Sequence, residues 1–211
     1  MDLFIVVPIL FFSIVLHEFA HGYVAYRLGD DTAYVLGRLT LNPLKHIDIV
    51  GTILVPALCY MSGLPMFGWA KPVPVNALRL PSPRKSMGKV SLAGPSANLL
   101  LAILCAFVMK MLLVSHIFSV STTEQILRFL IYGVQINVLL AVFNLMPILP
   151  LDGGHILEAI LPVKAAMQYN LLFARWGMWI VLILIVTGVF KYILYPPMYV
   201  VVKLISQIFG L

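Results

Sequence analysis

His17-Glu18-Phe19-Ala20-His21 closes an apolar run, Leu3 to Leu16, and that setting leaves the chain little conformational choice. A backbone in lipid must satisfy its own N–H and C=O groups, so a run of this length is a helix. On a helix, HExxH sets two imidazoles four residues apart on one face, within reach of a single Zn²⁺. Glu18 between them is then not a ligand but a candidate general base for a metal-activated water. Ionisable side chains at membrane depth are costly and mark function. The pattern implies hydrolysis of a peptide bond within or at the edge of a bilayer.

The rest of the chain agrees with a lipid setting. Its 211 residues are 62% hydrophobic and 10% charged, against roughly 45–50% and about 25% in soluble domains. The chain reads as an all-α polytopic membrane protein, a single membrane-embedded domain over residues 1–211 without room for a separate extramembrane domain. The net charge of +6 does not indicate nucleic acid, because the Lys and Arg residues occupy loops and helix ends. Cys59 and Cys105 lie in apolar segments and read as buried free thiols, with no disulfide framework and no CxxC metal pair. The N-terminus shows no basic n-region and no small-residue cleavage site, so its apolar run reads as a retained helix. There is no internal repeat.

Four segments have full transmembrane length: about 3–28, 90–114, 123–149 and 169–195, the last expected to stop at Pro196-Pro197. The final apolar stretch, 198–211, is too short to span and is expected at the interface. The stretch 47–69 is interrupted by Pro56, Gly63 and Pro65. It reads either as a short span or as a re-entrant element. Parity decides. Asp152 lies just past the third span, and the histidines lie toward the C-terminal half of the first. If the three share one metal, those two spans run in the same direction, with an odd number of crossings between them. The span 90–114 supplies one, so 47–69 is expected to dip in and return. Arg27, Arg38, Lys45, Lys71, Arg79, Arg84, Lys85 and Lys89 all fall between the first two full spans, whereas 114–123 holds no Lys or Arg. By the positive-inside rule the 27–89 region is cytoplasmic and the metal lies nearer that face, in what is expected to be the cell membrane. The segment 35–42 reads as a small strand, able to pair with an unwound substrate, or as an ordinary loop.

A catalytic zinc usually has three protein ligands, and two histidines leave one missing. The best third candidate is Asp152, in Asn144-Leu-Met-Pro-Ile-Leu-Pro-Leu-Asp152-Gly153-Gly154. Pro147 and Pro150 break the helix before it, and the glycines let the backbone turn closely past a ligand. The bland reading, a turn residue at a helix end, stays open on spacing alone.

HEFAH paired with NLMPILPLDGG resembles the site-2 protease family of intramembrane zinc metalloproteases. Further matches are Gly37-Arg38-Leu39-Thr40-Leu41-Asn42-Pro43, Gly68-Trp69-Ala70-Lys71-Pro72-Val73-Pro74-Val75-Asn76 and Ala93-Gly94-Pro95-Ser96-Ala97-Asn98. The resemblance covers Ser13 to Leu161. It implies His17, His21 and Asp152 as ligands of one zinc per chain, with Glu18 catalytic and no other cofactor. It maps the family's GxxxN-type motif onto Gly94 and Asn98, and it implies a minimal member without a PDZ domain. The expected function is a zinc endopeptidase of regulated intramembrane proteolysis. It would cleave transmembrane or membrane-proximal segments of membrane-spanning protein substrates in the lipid bilayer. Such a substrate helix must unwind locally first.

Asn98 and Asn144 are candidate oxyanion donors or, equally, interhelical hydrogen-bond glue. His155 could support the site without being a ligand. His46 and His116 read as loop or interfacial residues. The competing class is a non-hydrolytic membrane metal-binding protein or transporter using the same ligands. A transporter should show broken helices in two related halves, and the sequence has no such symmetry.

Overall fold

The computed structural model describes residues 3–62, 68–115 and 117–211, and among them there are helices and loops but no strand. In chain order the α-helices are α1 (Leu3–Arg27), α2 (Thr32–Val35), α3 (Val55–Met61), α4 (Pro83–Ser115), α5 (Val120–Asn144), α6 (Asp152–Ile160), α7 (Val163–Val186) and α8 (Val189–Phe209). The chain is an all-α polytopic membrane protein. Five of these helices, rather than four, are long and apolar enough to cross a bilayer: α1, α4, α5, α7 and α8.

Three of them form the centre. Gly94, Asn98, Ala102 and Ala106 recur every fourth residue along α4, so they share one stripe, and all four are buried. Such a stripe lets neighbouring backbones approach in lipid, where apolar burial alone does not separate protein from acyl chains. Val90 and Asn98 of α4 meet His21 and Ser13 of α1, so these two helices are antiparallel. Cys105 and Asn98 of α4 meet Gly133 and Asn137 of α5, which is antiparallel to α4 in turn. Hence α1 and α5 run the same way, as the shared-metal argument requires.

Residues 47–69 also follow that argument at the described positions. Ile49–Leu54 forms a wide π-type turn that leads into α3. The chain then comes back to its starting point. Trp69 N donates to the Gly51 carbonyl (3.1 Å), Lys71 N to the His46 carbonyl (2.9 Å) and the Thr52 hydroxyl to the Trp69 carbonyl (2.9 Å). Gly63 and Pro65 lie outside the described residues. Residues 35–42 form a loop rather than a strand.

Several boundaries differ from the sequence reading. The second span begins at Pro83 instead of 90. Hydropathy marks where lipid begins, whereas proline at a first turn marks where a helix begins. The third span starts at Val120, behind a Ser119 cap, and stops at Asn144 rather than 149, before Pro147 and Pro150. The expected span 169–195 is two helices. Gly188, at φ +70°, ends the first and starts the second. Pro196 and Pro197 lie inside α8 rather than ending a helix, so 198–211 continues that helix and is not a separate interfacial piece. Ile205 of α8 packs in a cluster with Ala102, Ala106, Val134 and Val138, which ties the half of α8 beyond the prolines to the centre.

The α7–α8 pair makes one net traverse. It begins beside Leu161, whose carbonyl accepts from Arg84 at the start of α4. It ends at Gly210, whose carbonyl accepts from Lys110 near the end of α4.

Candidate metal centre

The centre is built where α1, α4 and the start of α6 converge. His17 Nε2 lies 3.0 Å from His21 Nε2. Asp152 Oδ2 lies 3.1 Å from the first and 3.4 Å from the second. The other face of each ring is pinned. Asn98 Nδ2 donates to the Ser13 carbonyl (3.2 Å) and to Asn137 Oδ1 (2.9 Å), which leaves Asn98 Oδ1 facing His17 Nδ1 at 2.6 Å. That oxygen and the Val90 carbonyl, 2.7 Å from His21 Nδ1, can only accept, so both Nδ1 atoms carry the proton. Both Nε2 atoms then present lone pairs.

The two Nε2 atoms and a carboxylate oxygen face one another at close range, and Asp152 Oδ2 is buried without a hydrogen-bond donor. Protonating both rings would set two cations 3.0 Å apart, a repulsion of about 5 kcal/mol even at an effective dielectric constant near 20. A single divalent cation satisfies all three groups at once. His17, His21 and Asp152 can each offer one ligand atom, and those atoms lie within 4.8 Å of one another. Gly94 supplies the space: a Cβ there would stand 2.5 Å from both Nε2 atoms. The donor set and the cradle therefore fit a metal.

The approach of Asp152 depends on its glycines. A Cβ at Gly153 would overlap the Leu145 and Met146 carbonyls, and one at Gly154 would sit 2.6 Å from Leu149 N. Only a Gly-Gly pair lets the 145–151 turn wrap around the first turn of α6 and deliver the carboxylate.

Glu18, next to His17 on α1, is held by a neighbouring segment. Its Oε2 accepts the Val73 N–H at 2.8 Å, from an extended strap, 70–76, that passes α1. Arg38 holds the strap by the Lys71 and Pro72 carbonyls (2.9 and 3.2 Å). Asp30 holds it by the Asn76 N–H (2.6 Å). Burial raises the Asp30 carboxyl, but hydrogen bonds from Thr32 and the Asn76 backbone outweigh burial and keep it below the usual aspartate value. The sequence reading singled out 68–76 by resemblance but missed its contacts with Glu18 and Asp30. Its donors are backbone amides with no side-chain signature, and only the Asp30-Asp31-Thr32 turn pattern could have drawn attention to Asp30.

The remaining candidates lie off the centre. Asn144 donates its amide to the Leu140 carbonyl of its own helix (3.0 Å). Asn98 is wholly buried, with both amide atoms engaged around His17. His155 pairs with Glu158 at 3.6 Å, outside the cluster. His46 sits in a loop, yet it is fully buried, with a nitrogen 2.8 Å from the Thr40 carbonyl. His116 lies outside the described residues.

A bundle of membrane-length helices around two histidines and a carboxylate defines a polytopic membrane protein with a buried metal centre. The model of peptidase family M50 matches residues 108–187, which include Asp152. YwhC of Bacillus subtilis is 40% identical over 207 residues, 93% of this chain and 89% of that one. Rip2 of Mycolicibacterium smegmatis is 34% identical over 83% of this chain and 64% of its own length. MJ0392 of Methanocaldococcus jannaschii is 27% identical over 74% of this chain and 34% of its own. The words zinc metalloprotease stand in all three names. No solved structure matches the chain significantly. The chain belongs to peptidase family M50, the site-2 protease family, and is an intramembrane metalloprotease.

Proposed function

We infer that His17, His21 and Asp152 hold one zinc ion and that Glu18 is the general base of a peptide hydrolysis carried out at membrane depth. The observation that carries this reading is the convergence of the two Nε2 atoms and the donorless Asp152 Oδ2 beside the space left by Gly94. Zinc in such a site supplies Lewis acidity, acidifying water and polarising a carbonyl. Asn98 and the Val90 carbonyl fix the two rings in the tautomer that leaves Nε2 free for the ion. Glu18 takes the proton of the attacking water and delivers it to the leaving amine. The Val73 N–H holds the Glu18 carboxylate in one orientation between turnovers.

The substrates are segments of membrane proteins that unwind to expose a carbonyl. The described helices act as one catalytic domain in the cell membrane, with the centre nearer the cytoplasmic side, because the cationic residues cluster in 27–89. Metal analysis of purified protein tests the ligand set. The wild type is expected to hold about one zinc per chain, and Asp152→Ala to lose it. Full occupancy in Asp152→Ala removes that residue from the set. Glu18→Gln is expected to keep zinc and lose cleavage of a co-expressed single-span protein; undiminished cleavage overturns the general-base assignment.

A further inference from the structure

A cavity of about 400 Å³ lies between the N-terminal half of α1 and the neck where 47–52 meets 68–70. That volume is in the range of small-molecule sites. One wall is a helical stripe through Leu10 and Ile14, and the next residue on that stripe is Glu18. The facing wall runs through Trp69 and Ala70 into the strap, and three residues on it reaches Val73. The walls meet where Val73 N–H donates to Glu18. Both walls of the cavity therefore lead, along α1 and along the strap, toward the Glu18–Val73 contact.

Its chemistry is equally restricted. No lining residue is charged, and the Thr52 hydroxyl is committed to the Trp69 carbonyl. The Trp69 ring lies so close over Gly51 that any Cβ there would overlap it, and Trp69 N–H bonds to the Gly51 carbonyl. This is a built wall rather than a gap between mobile loops. At the outer end Val7 and Leu10 are exposed on a membrane-crossing helix, so an occupant can enter from lipid without crossing water.

We propose that this cavity is a substrate subsite that takes the apolar side chains flanking the scissile bond of a membrane-spanning substrate segment, with Ile14 and Trp69 setting their size. The proposal rests on the protease reading and narrows it. Cleavage would favour sequences that pair an unwound carbonyl with a large aliphatic or aromatic neighbour.

Trp69 itself can report occupancy. Replacing Trp176 and Trp179 by Phe leaves it the sole tryptophan, and Glu18→Gln prevents turnover. In phosphatidylcholine nanodiscs, a Leu-Ala single-span peptide with a central 4-bromophenylalanine is expected to quench Trp69, and the unbrominated peptide to relieve it. Ile14→Phe or Leu10→Phe, each partly filling the cavity, should raise the half-quenching concentration about tenfold, the lower end for a change in pocket size. Quenching by lipids with brominated acyl chains that excess peptide does not relieve would make the cavity a lipid site and overturn the proposal. Absence of quenching from either source would overturn it too. Failure of the protease reading looks different: Trp69 is quenched by the peptide, yet protein with Glu18 intact cuts nothing.

Discussion

The α1–α4–α5 centre and the α7–α8 pair are similarly apolar but are held by different forces. In the centre, Ser13, His17, Ser91, Asn98 and Asn137 are buried, and four of them share one hydrogen-bonded network from the Ser13 carbonyl to Asn137. The buried residues of α7 and α8 are Ala166, Gly177, Val181, Phe190, Leu194 and Ile205, none with a polar side chain. In lipid, apolar contact holds helices together only through packing, because acyl chains are equally apolar. A polar group there has few partners, so each hydrogen bond also fixes rotation and depth. Catalysis needs that precision at His17 and not at the edge of the bundle.

Gly94→Ala should break the centre most completely. The new Cβ would stand 2.5 Å from both Nε2 atoms. Zinc content and cleavage should fall to background while the protein still purifies as a helical monodisperse species. Retained zinc in this variant would mean that the ion sits elsewhere.

Asn98→Ala comes next. It unpins His17 and leaves the Ser13 carbonyl and Asn137 with one partner fewer. Loss of a group that orients a metal-binding histidine costs about 10–100-fold in metal affinity, and the orphaned buried groups add about 1–3 kcal/mol of destabilisation. Zinc competition against a chelator and thermal unfolding separate the two effects. Unchanged affinity would reduce the Asn98 network to helix glue, making the centre much more like α7–α8.

These predictions rest on features of unequal visibility in the sequence. HExxH can be read from spacing, and Asp152 stands out as a candidate by scarcity, because ionisable residues in apolar runs are conspicuous; its role as a ligand came from the resemblance. The parallel course of α1 and α5 follows from letting His17, His21 and Asp152 share one metal, and loop charge agrees with it. The returning segment 47–69 follows from the same count. What could not be read is whatever depends on contact between distant residues. Nothing local joins Glu18 to Val73 or Asp30 to Asn76, 55 and 46 positions apart. The edge of the bundle was misread for the opposite reason. A proline pair is a strong local stop signal, yet α8 runs through Pro196-Pro197, and the break falls at Gly188, whose left-handed backbone is what the turn needs.

Asp30→Asn should produce a moderate effect, confined to the strap. Losing hydrogen bonds to a charged acceptor costs about 1.5–3 kcal/mol. The wild type carries its own control. The Asp30 carboxyl lies below its ordinary value in the folded state. Its contribution is therefore complete above the unfolded value of about 3.9 and is lost as pH falls through the folded value. Protection factors of the Val73 and Asn76 amides, corrected for the pH dependence of intrinsic exchange, should stay high at neutral pH and fall in acid, whereas Asp30→Asn should show low protection already at neutral pH. Equal exchange in both proteins at pH 7 would remove Asp30 as the anchor.

The smallest effect belongs to the edge. Trp179 on α7 is 61% exposed, so truncation leaves neither a buried cavity nor an orphaned polar atom. Trp179→Ala should change stability by less than about 0.5 kcal/mol, with zinc content and cleavage of a single-span substrate at the wild-type level. A large fall in cleavage with zinc retained would show that α7 touches the substrate. The contrast between a polar catalytic centre and an apolar lipid-facing edge would then fail at that helix, because apolar contact alone would be setting which peptides reach the centre.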